Sequence, residues 1–402
     1  MALVKPDQAS FARIKVIGVG GGGGNVVNAM INDYQIKGVE FVAINTDAQA
    51  LHANKATTKV QIGEKLTRGL GVGGDPEIGR EAAEESREKI KEYFSDSDMI
   101  FLAAGLGGGT GTGALPILAD LAKELGILTI AVVTKPFAFE GSRRMVAAED
   151  GLEKLRERVD TLIVVPNQKI MEVVDQKMTL IEAFKIVDGV LAQGVQGISD
   201  IITVPGLINR DFADVKTIMQ EAGSALLGIG SGQGENRAVM AAKSAIESPL
   251  IDVSISGARG ILFNIVGSSD LTMSEVDEAA RIIAKEVDAD ANIIFGATID
   301  QNLKDQIKIT VIATGFDRHR LDGIPTANAS YFKPQGIVSD FTKPKPDSPT
   351  LPVKQVEEET SEEREEEKRK AKEKLKDYQD QLPEDFEVED EFDIPAFLRQ
   401  EK

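Results

Sequence analysis

Gly107-Gly-Gly-Thr-Gly-Thr-Gly113 joins two apolar stretches of different period. Before it, Met99-Ile-Phe-Leu-Ala103 reads as a buried strand, and after it Ala114 to Leu125 reads as a helix. A strand that turns through glycines into a helix gathers backbone N–H groups, and the positive end of the helix dipole, around an open space. Such a space suits an anion, above all a phosphate.

The same arrangement occurs nearer the start. Ile14-Lys-Val-Ile-Gly18 reads as a strand, Gly18-Val-Gly-Gly-Gly-Gly-Gly-Asn25 as a turn, and Val26 to Ile31 as a helix. Five consecutive glycines, Gly20 to Gly24, are costly in backbone entropy unless something must approach closely. Taken alone, this loop satisfies G-x-G-x-x-G at Gly18, Gly20 and Gly23, and Asp47 follows the next strand where a ribose-binding acid would stand. A nicotinamide-dependent oxidoreductase is therefore an open alternative at this point. The second loop argues against it, because a dinucleotide fold needs one cradle. Two cradles suit a triphosphate, whose charge of about −4 calls for many donors and a metal ion. No glycine loop ends in Gly-Lys-Ser or Gly-Lys-Thr. Backbone N–H groups and Mg2+, without a lysine clamp, would hold the phosphates. A third turn, Gly69-Leu-Gly-Val-Gly-Gly74-Asp-Pro, can close over a terminal phosphate or serve as a plain surface loop.

Outward from the loops, further strands are expected at Phe41-Val-Ala-Ile44, Leu128-Thr-Ile-Ala-Val-Val133 and Thr161-Leu-Ile-Val-Val165, with a helix from Pro76 to Phe94. Alternating strands and helices predict an α/β fold with a Rossmann-like parallel sheet covered on both faces. Thr179 to Ile202 reads as one long central helix, with Leu180, Phe184, Val187, Leu191, Val195 and Ile198 on its apolar face and Pro205-Gly206 ending it. A smaller α/β block follows. Its helices are expected at Asp214 to Ala222, Arg237 to Glu247 and Ser274 to Val287. Its strands are expected at Gly260 to Val266, Asn292 to Phe295 and Gln306 to Ile312. After Asp317 the periodicity stops, and eight of the fifteen prolines lie there. Glu357 to Asp380 is dense in charge and cannot bury enough surface to offset its ordering entropy. Apolar residues return in Phe392-Asp-Ile-Pro-Ala-Phe-Leu-Arg399, the pattern of a docking peptide on a flexible tether. The expected layout is an N-terminal extension (1–11), a nucleotide-binding domain (12–178), the central helix (179–204), the smaller domain (205–316), a disordered linker (317–382) and a docking peptide (383–402).

Composition excludes several classes. A net charge of −19 disfavours nucleic-acid partners. There is no cysteine, and His52 and His319 are the only histidines, so neither a Cys/His metal site nor a histidine-based triad is expected. No apolar run is long enough to span a membrane, and Met1 to Ser10 lacks the apolar stretch of a secretion signal. The expectation is a cytoplasmic protein without direct membrane insertion.

At this point the chain resembles a known family. Gly107 to Gly113 matches the tubulin signature loop. Together with Gly18 to Asn25, Val132-Val-Thr-Lys-Pro-Phe137, Phe139-Glu-Gly141 and Asn209-Arg-Asp-Phe-Ala-Asp-Val215 it is similar to the FtsZ family, bacterial cell-division GTPases related to tubulin. The similarity runs from about residue 12 to 316 and resumes at Asp393-Ile-Pro-Ala-Phe-Leu-Arg399, which resembles the family's docking peptide. The resemblance implies a GTP-binding and hydrolysing cytoskeletal protein. It would polymerise head to tail, form the contractile ring at the midcell division site and recruit other division proteins. GTP/GDP and Mg2+ would be its ligands. Its partners would be its own copies and, through Asp393–Arg399, membrane-tethering and regulatory division proteins.

The resemblance also assigns residues. Gly21, Gly22, Gly23, Gly24 and Asn25, with Gly108, Gly109, Thr110 and Gly111, would contact the phosphates. Glu140 would accept from the ribose hydroxyls, Arg144 would lie near the nucleotide, and Asn167 near ribose and base. Phe184 would stack on the base. Asp188 would read guanine, since a carboxylate matches its N1–H and N2–H2 edge. Many relatives carry Asn or an acid after this aspartate; here it is Gly189, at a helix cost of about 1 kcal/mol relative to alanine. Asp211 and Asp214, three apart, would share one face of a helix start and, with Asn209, complete the hydrolytic site of the next subunit. On spacing alone, helix capping by Asp211 or Asp214 is the lesser alternative reading. A relative that polymerises without hydrolysing is the remaining alternative, and the aspartate pair argues against it.

Overall fold

The computed structural model describes residues 12–173, 178–204, 211–248 and 255–316. The chain divides into two units, Met1–Asn328 and Ala329–Lys402. The second unit, with the expected linker and docking peptide, lies outside the described residues, as does Asn209.

The elements run in chain order as β1 (Ile14–Val19), α1 (Gly20–Asn32), β2 (Glu40–Asn45), α2 (Ala48–Ala53), β3 (Thr58–Gln61), α3 (Glu64–Thr67), α4 (Pro76–Glu85), α5 (Arg87–Phe94), β4 (Met99–Gly105), α6 (Thr110–Glu124), β5 (Leu128–Lys135), α7 (Ser142–Arg156), β6 (Thr161–Pro166) and α8 (Asn167–Val173). They continue as α9 (Leu180–Thr203), α10 (Phe212–Met219), β7 (Gly223–Gln233), α11 (Arg237–Ile246), β8 (Gly260–Gly267), α12 (Met273–Lys285), β9 (Asn292–Ile299) and β10 (Gln306–Thr314).

The strands form a single sheet in the order β3-β2-β1-β4-β5-β6-β7-β10-β8-β9. From β3 to β7 all neighbours are parallel, with β1 matched to β2 from Lys15↔Glu40 to Val19↔Ile44 and to β4 from Ile14↔Met99 to Gly18↔Ala103. Beyond β7 the pairing changes: β10 is antiparallel to both β7 and β8, and β8 and β9 are parallel. β1, β4 and β5 are buried almost throughout, as their unbroken apolar runs require of strands covered on both faces. Two apolar clusters fill the faces of the parallel part. One joins α1, α9 and α10 to the sheet, the other α4 to α7. A third lies between α11, α12 and the strands β7, β8 and β10.

Several boundaries differ from the sequence expectation. α1 begins at Gly20 and α6 at Thr110, so most of both glycine stretches are first helical turns rather than loops before a helix. The expected helix from Pro76 to Phe94 is two helices. Ser86 departs from helical geometry at φ −102°, ψ 12°, and its hydroxyl accepts the Gly63 N–H at 3.0 Å. β3 and β7 were not expected. β7 is glycine-rich because α11 lies directly on it. A Cβ at Gly230 would stand 2.1 Å from the Ala241 carbonyl oxygen, and one at Gly232 2.0 Å from that of Arg237. It is also the strand that joins the two blocks. Its start pairs with β6 over Gly223 to Ala225 and its remainder with β10 over Leu226 to Gln233.

α9 starts as the sequence suggests. Thr179 and Glu182 form a capping box, with Thr179 Oγ1 accepting the Glu182 N–H at 3.3 Å and the Glu182 carboxylate accepting the Thr179 N–H at 2.8 Å. Val187, Leu191, Val195 and Ile198 are core, but Leu180 (57% exposed) and Phe184 (38%) are not. In the first turns of the helix Leu180, Ile181 and Phe184 are exposed while Ala183 is buried.

Candidate functional site

The C-terminal ends of β1, β2, β4 and β5 open into a cavity of about 490 Å³. A crevice at the carboxyl ends of parallel strands is the usual ligand position in such sheets. Gly20, Gly21, Gly22 and Asn25 from α1 and Gly108, Gly109, Thr110 and Gly111 from the start of α6 line it. Thus two helix N-termini face one space, each with unpaired first-turn N–H groups.

The glycines have separate reasons. Gly20 has φ +71°, and a Cβ on it would stand 3.0 Å from Gly111 N, so the two cradles touch here and admit no side chain. Gly21 and Gly108 would meet nothing within 4 Å; their missing side chains leave open space, where a ligand fits. Gly23 and Gly24, expected at the phosphates, do not line the cavity. Gly23 packs on β4, where a Cβ would be 2.3 Å from the Ala103 carbonyl oxygen, and Gly24 receives the Asn54 amide at its carbonyl at 2.8 Å. Gly23 lets the helix lie close on the sheet, and Gly24 lets the Asn54 side chain approach the helix.

Side-chain bonds hold the cradle in shape. Thr46 and Thr110 share a hydrogen bond of 2.7 Å between hydroxyls, tying the end of β2 to the start of α6. Thr112 Oγ1 accepts the Gly107 N–H at 2.9 Å. Asp47 caps α2, accepting from the N–H groups of Gln49 and Ala50. It also forms a bridge with Leu70, and the Ala48 N–H donates to the Gly69 carbonyl at 3.0 Å. The third glycine turn is thereby fastened to the site, and Leu70 to Gly74 line the cavity.

At the far end stand Glu140, Arg144, Asn167, Phe184 and Asp188. One Glu140 oxygen accepts the Phe137 N–H at 2.9 Å; the other pairs with Arg144. Each oxygen retains a lone pair for a further donor. Asn167 is 4% exposed and its Oδ1 has no hydrogen-bond partner. A buried orphan acceptor facing a cavity is a place for a ligand donor such as a hydroxyl or ring N–H. Phe184 stands edge-on to Phe137 with ring centroids 5.4 Å apart, and Phe137 stacks on Phe139 at 5.0 Å. The ring is held in place while its exposed part faces the opening. Burial, aided by the nearby Asp33 charge, pushes the Asp188 carboxyl up to about 7. Such a group favours a ligand that offers it hydrogen-bond donors.

Asp211 and Asp214 are elsewhere. Asp211 caps α10 and accepts the Asp214 N–H at 2.9 Å. Further along α10, Lys216 and Gln220 line a second cavity with Leu128, Asp160 and Gly223, the residues at the starts of β5, β6 and β7. The C-terminal end of α10 therefore lies at the N-terminal edge of the sheet, and the cradle at the C-terminal edge. β5, with 8 residues, spans about 25 Å between those edges.

No helix among the described residues is long and apolar enough to cross a membrane. No group of three or more His, Asp or Glu suited to a metal ion occurs among them.

Comparison with known proteins agrees with this geometry. The family model described as the Tubulin/FtsZ family GTPase domain matches residues 13–175, and that of the FtsZ family C-terminal domain matches residues 223–317. Among solved structures, an FtsZ dimer from M. jannaschii is 49% identical. The match covers 77% of this chain and 89% of that one, with a TM-score of 0.74. CetZ2 from Haloferax volcanii, solved as a GTPγS-bound protofilament, matches in fold. It is 24% identical over 77% of this chain and 95% of its own, with a TM-score of 0.65. Two phosphate cradles at the carboxyl ends of a parallel sheet, a long helix beside them and both family models in order leave one assignment: the chain belongs to the tubulin/FtsZ family of GTPases.

Proposed function

We propose that this protein is a filament subunit whose GTP-hydrolysing site is completed by a second copy stacked head to tail. The observation that carries the proposal is that neither Asp211 nor Asp214 lines the cradle, and that the helix which starts with them ends at the opposite edge of the sheet. In this reading the pair serves not its own chain's phosphates but those of a second copy stacked against that edge. Such a contact is heterologous and does not close, so repetition builds a filament. Exposed apolar residues support a covering partner: Leu70 (85% exposed) at the cavity, Phe139 (63%) beside Glu140, and Ile181 (71%) one turn before Phe184.

In this reading the first turns of α1 and α6 bind the phosphates through backbone N–H groups and stabilise charge as the γ-phosphoryl group transfers to water. Glu140 and Asn167 hold the ribose and base, Phe184 stacks on the base, and Asp188 accepts from guanine. Asp211 and Asp214 of the next copy, with Asn209, orient the attacking water and take its proton. Mg2+ fits as an ion carried by the phosphates. Of the carboxylates lining the cavity, Glu140 is paired with Arg144 and Asp188 belongs to α9, so Asp47 is the one at the cradle to add an oxygen ligand. The ion would supply charge neutralisation at the β and γ phosphates.

The same reading divides the chain into a GTP-binding domain (12–178), central helix (179–204) and activation domain (205–316), with the linker and Asp393–Arg399 tethering filaments to membrane-bound and regulatory division proteins. The filaments would form the cytoplasmic ring at midcell. Light scattering of the full chain with GTP and Mg2+ tests this: it should rise on GTP addition and decay as GTP is consumed. No GTP-dependent scattering across micromolar concentrations would overturn the proposal.

A further inference from the structure

Gly189 directly follows Asp188 on α9 and is buried. A Cβ built on it would stand 2.3 Å from the hydroxyl oxygen of Tyr34 and 3.3 Å from that ring's Cζ. The phenol tip thus occupies the place where any other residue would put its first side-chain carbon. The end of α1 delivers it there. The Asp33 and Tyr34 N–H groups both donate to the Ala29 carbonyl, at 2.8 and 3.1 Å, and the ring packs against the core cluster around α1 and α9. On the same turn the Gln193 Nε2 donates to the Gly189 carbonyl at 3.2 Å. One turn of α9 is therefore set by the Tyr34 wedge against Gly189 and braced within the helix by Gln193. Asp188, in that turn, faces the nucleotide cavity. Tyr34 and Gln193 line a separate cavity of about 320 Å³ on the other side of the helix.

We infer that Tyr34, seated in the slot left by Gly189, is the positioning residue for Asp188 and thereby sets discrimination for a purine bearing a 2-amino group. The inference rests on the reading that Asp188 accepts from the base. A carboxylate meets two parallel donors only within a narrow range of positions. Tyr34, fixed against the adjacent Gly189, sets where that turn of α9 stands. The glycine is then a requirement for the wedge, which gives its helix cost a reason.

The test compares affinity for GDP and IDP, which differ in the 2-amino group; diphosphates keep assembly and hydrolysis out of the readout. The parent should favour GDP by about tenfold, the worth of one hydrogen bond to a charged group. Tyr34→Ala and Gly189→Ala, the latter by pushing the phenol out, should bring the GDP:IDP ratio to within about twofold of unity, with GDP losing more affinity than IDP, which shares the N1–H donor but lacks the 2-amino group. Tyr34→Phe keeps the ring but removes the hydroxyl that fills the Gly189 slot, so its ratio should fall between. If Tyr34→Ala loses IDP binding as well, Gly189→Ala and Tyr34→Phe decide. Equal weakening of both nucleotides, with the ratio unchanged, would reduce Tyr34 to a packing role and overturn the inference. Asp188→Ala separates the two levels. A parental ratio in Asp188→Ala would sink the base-reading role itself. A collapsed ratio there, with parental ratios in the Tyr34 and Gly189 variants, would sink only the inference.

Discussion

Asn167 shows how one atom can mark a site. Its Oδ1 is buried and unpaired beside the cavity, a state that costs about 1–3 kcal/mol until a donor arrives. Asn167→Leu removes the orphan. Thermal denaturation without nucleotide should show no loss of stability, while GDP affinity should fall about tenfold. A variant that melts much earlier yet binds GDP as the parent does would show that Asn167 serves packing. Neighbouring residues divide the labour differently. Gly21 and Gly108 leave room for a ligand, whereas Gly23 lets α1 lie on β4. The sequence offers no means of telling these glycines apart, because the difference lies in what stands opposite each one.

At the scale of elements, β7 and α11 depend on two absent side chains. Gly232→Ala would place a carbon 2.0 Å from the Arg237 carbonyl oxygen, a backbone atom that can yield only by moving α11. Overpacking of this kind costs about 1–3 kcal/mol, and urea denaturation should show at least that loss. The same glycines hid β7 from a reading based on β-branched runs, whereas β1, β4 and β5 were legible because both faces of each are buried. α9 was legible through its apolar spacing and Thr179 cap. Its exposed first turns were not, since Leu180 and Phe184 fit the core pattern as well as Val187 does. Asp200, on the same helix, gives a pH signature. Burial, with the Asp300 charge adding to it, pushes its carboxyl up to about 7 against 3.8 in the unfolded chain. The folded state therefore holds a proton between those values that the unfolded state has released. Stability from this group is fully present below about pH 4, declines as pH rises towards 7, and stays low above it. Asp200→Asn should remove the decline. Relative to the parent, the variant should gain stability progressively from pH 5 to pH 8, by about 1–3 kcal/mol at the upper end. A difference that does not vary with pH would show that Asp200 is ionised in the folded protein.

For the whole molecule, the central feature is a sheet with phosphate cradles at one edge and, at the other, the end of the aspartate-capped α10. The motifs that form each edge were legible in the sequence; the distance between them was not, because it depends on which way the strands run past α10. Asp214→Ala alters only the acidic edge. It should bind GDP with parental affinity, since it does not line the cradle, and lose at least about 100-fold in GTP turnover, the range for removing a positioned acid–base group. Turnover within twofold of the parent would remove Asp214 from the hydrolytic role. The shared site itself is tested most directly by GTP turnover measured against protein concentration with Mg2+ present. The account predicts almost no turnover below a critical concentration and a linear rise above it, because an active site exists only where two copies meet. Turnover strictly proportional to protein from the lowest concentrations would mean that one chain hydrolyses GTP alone, and would contradict it.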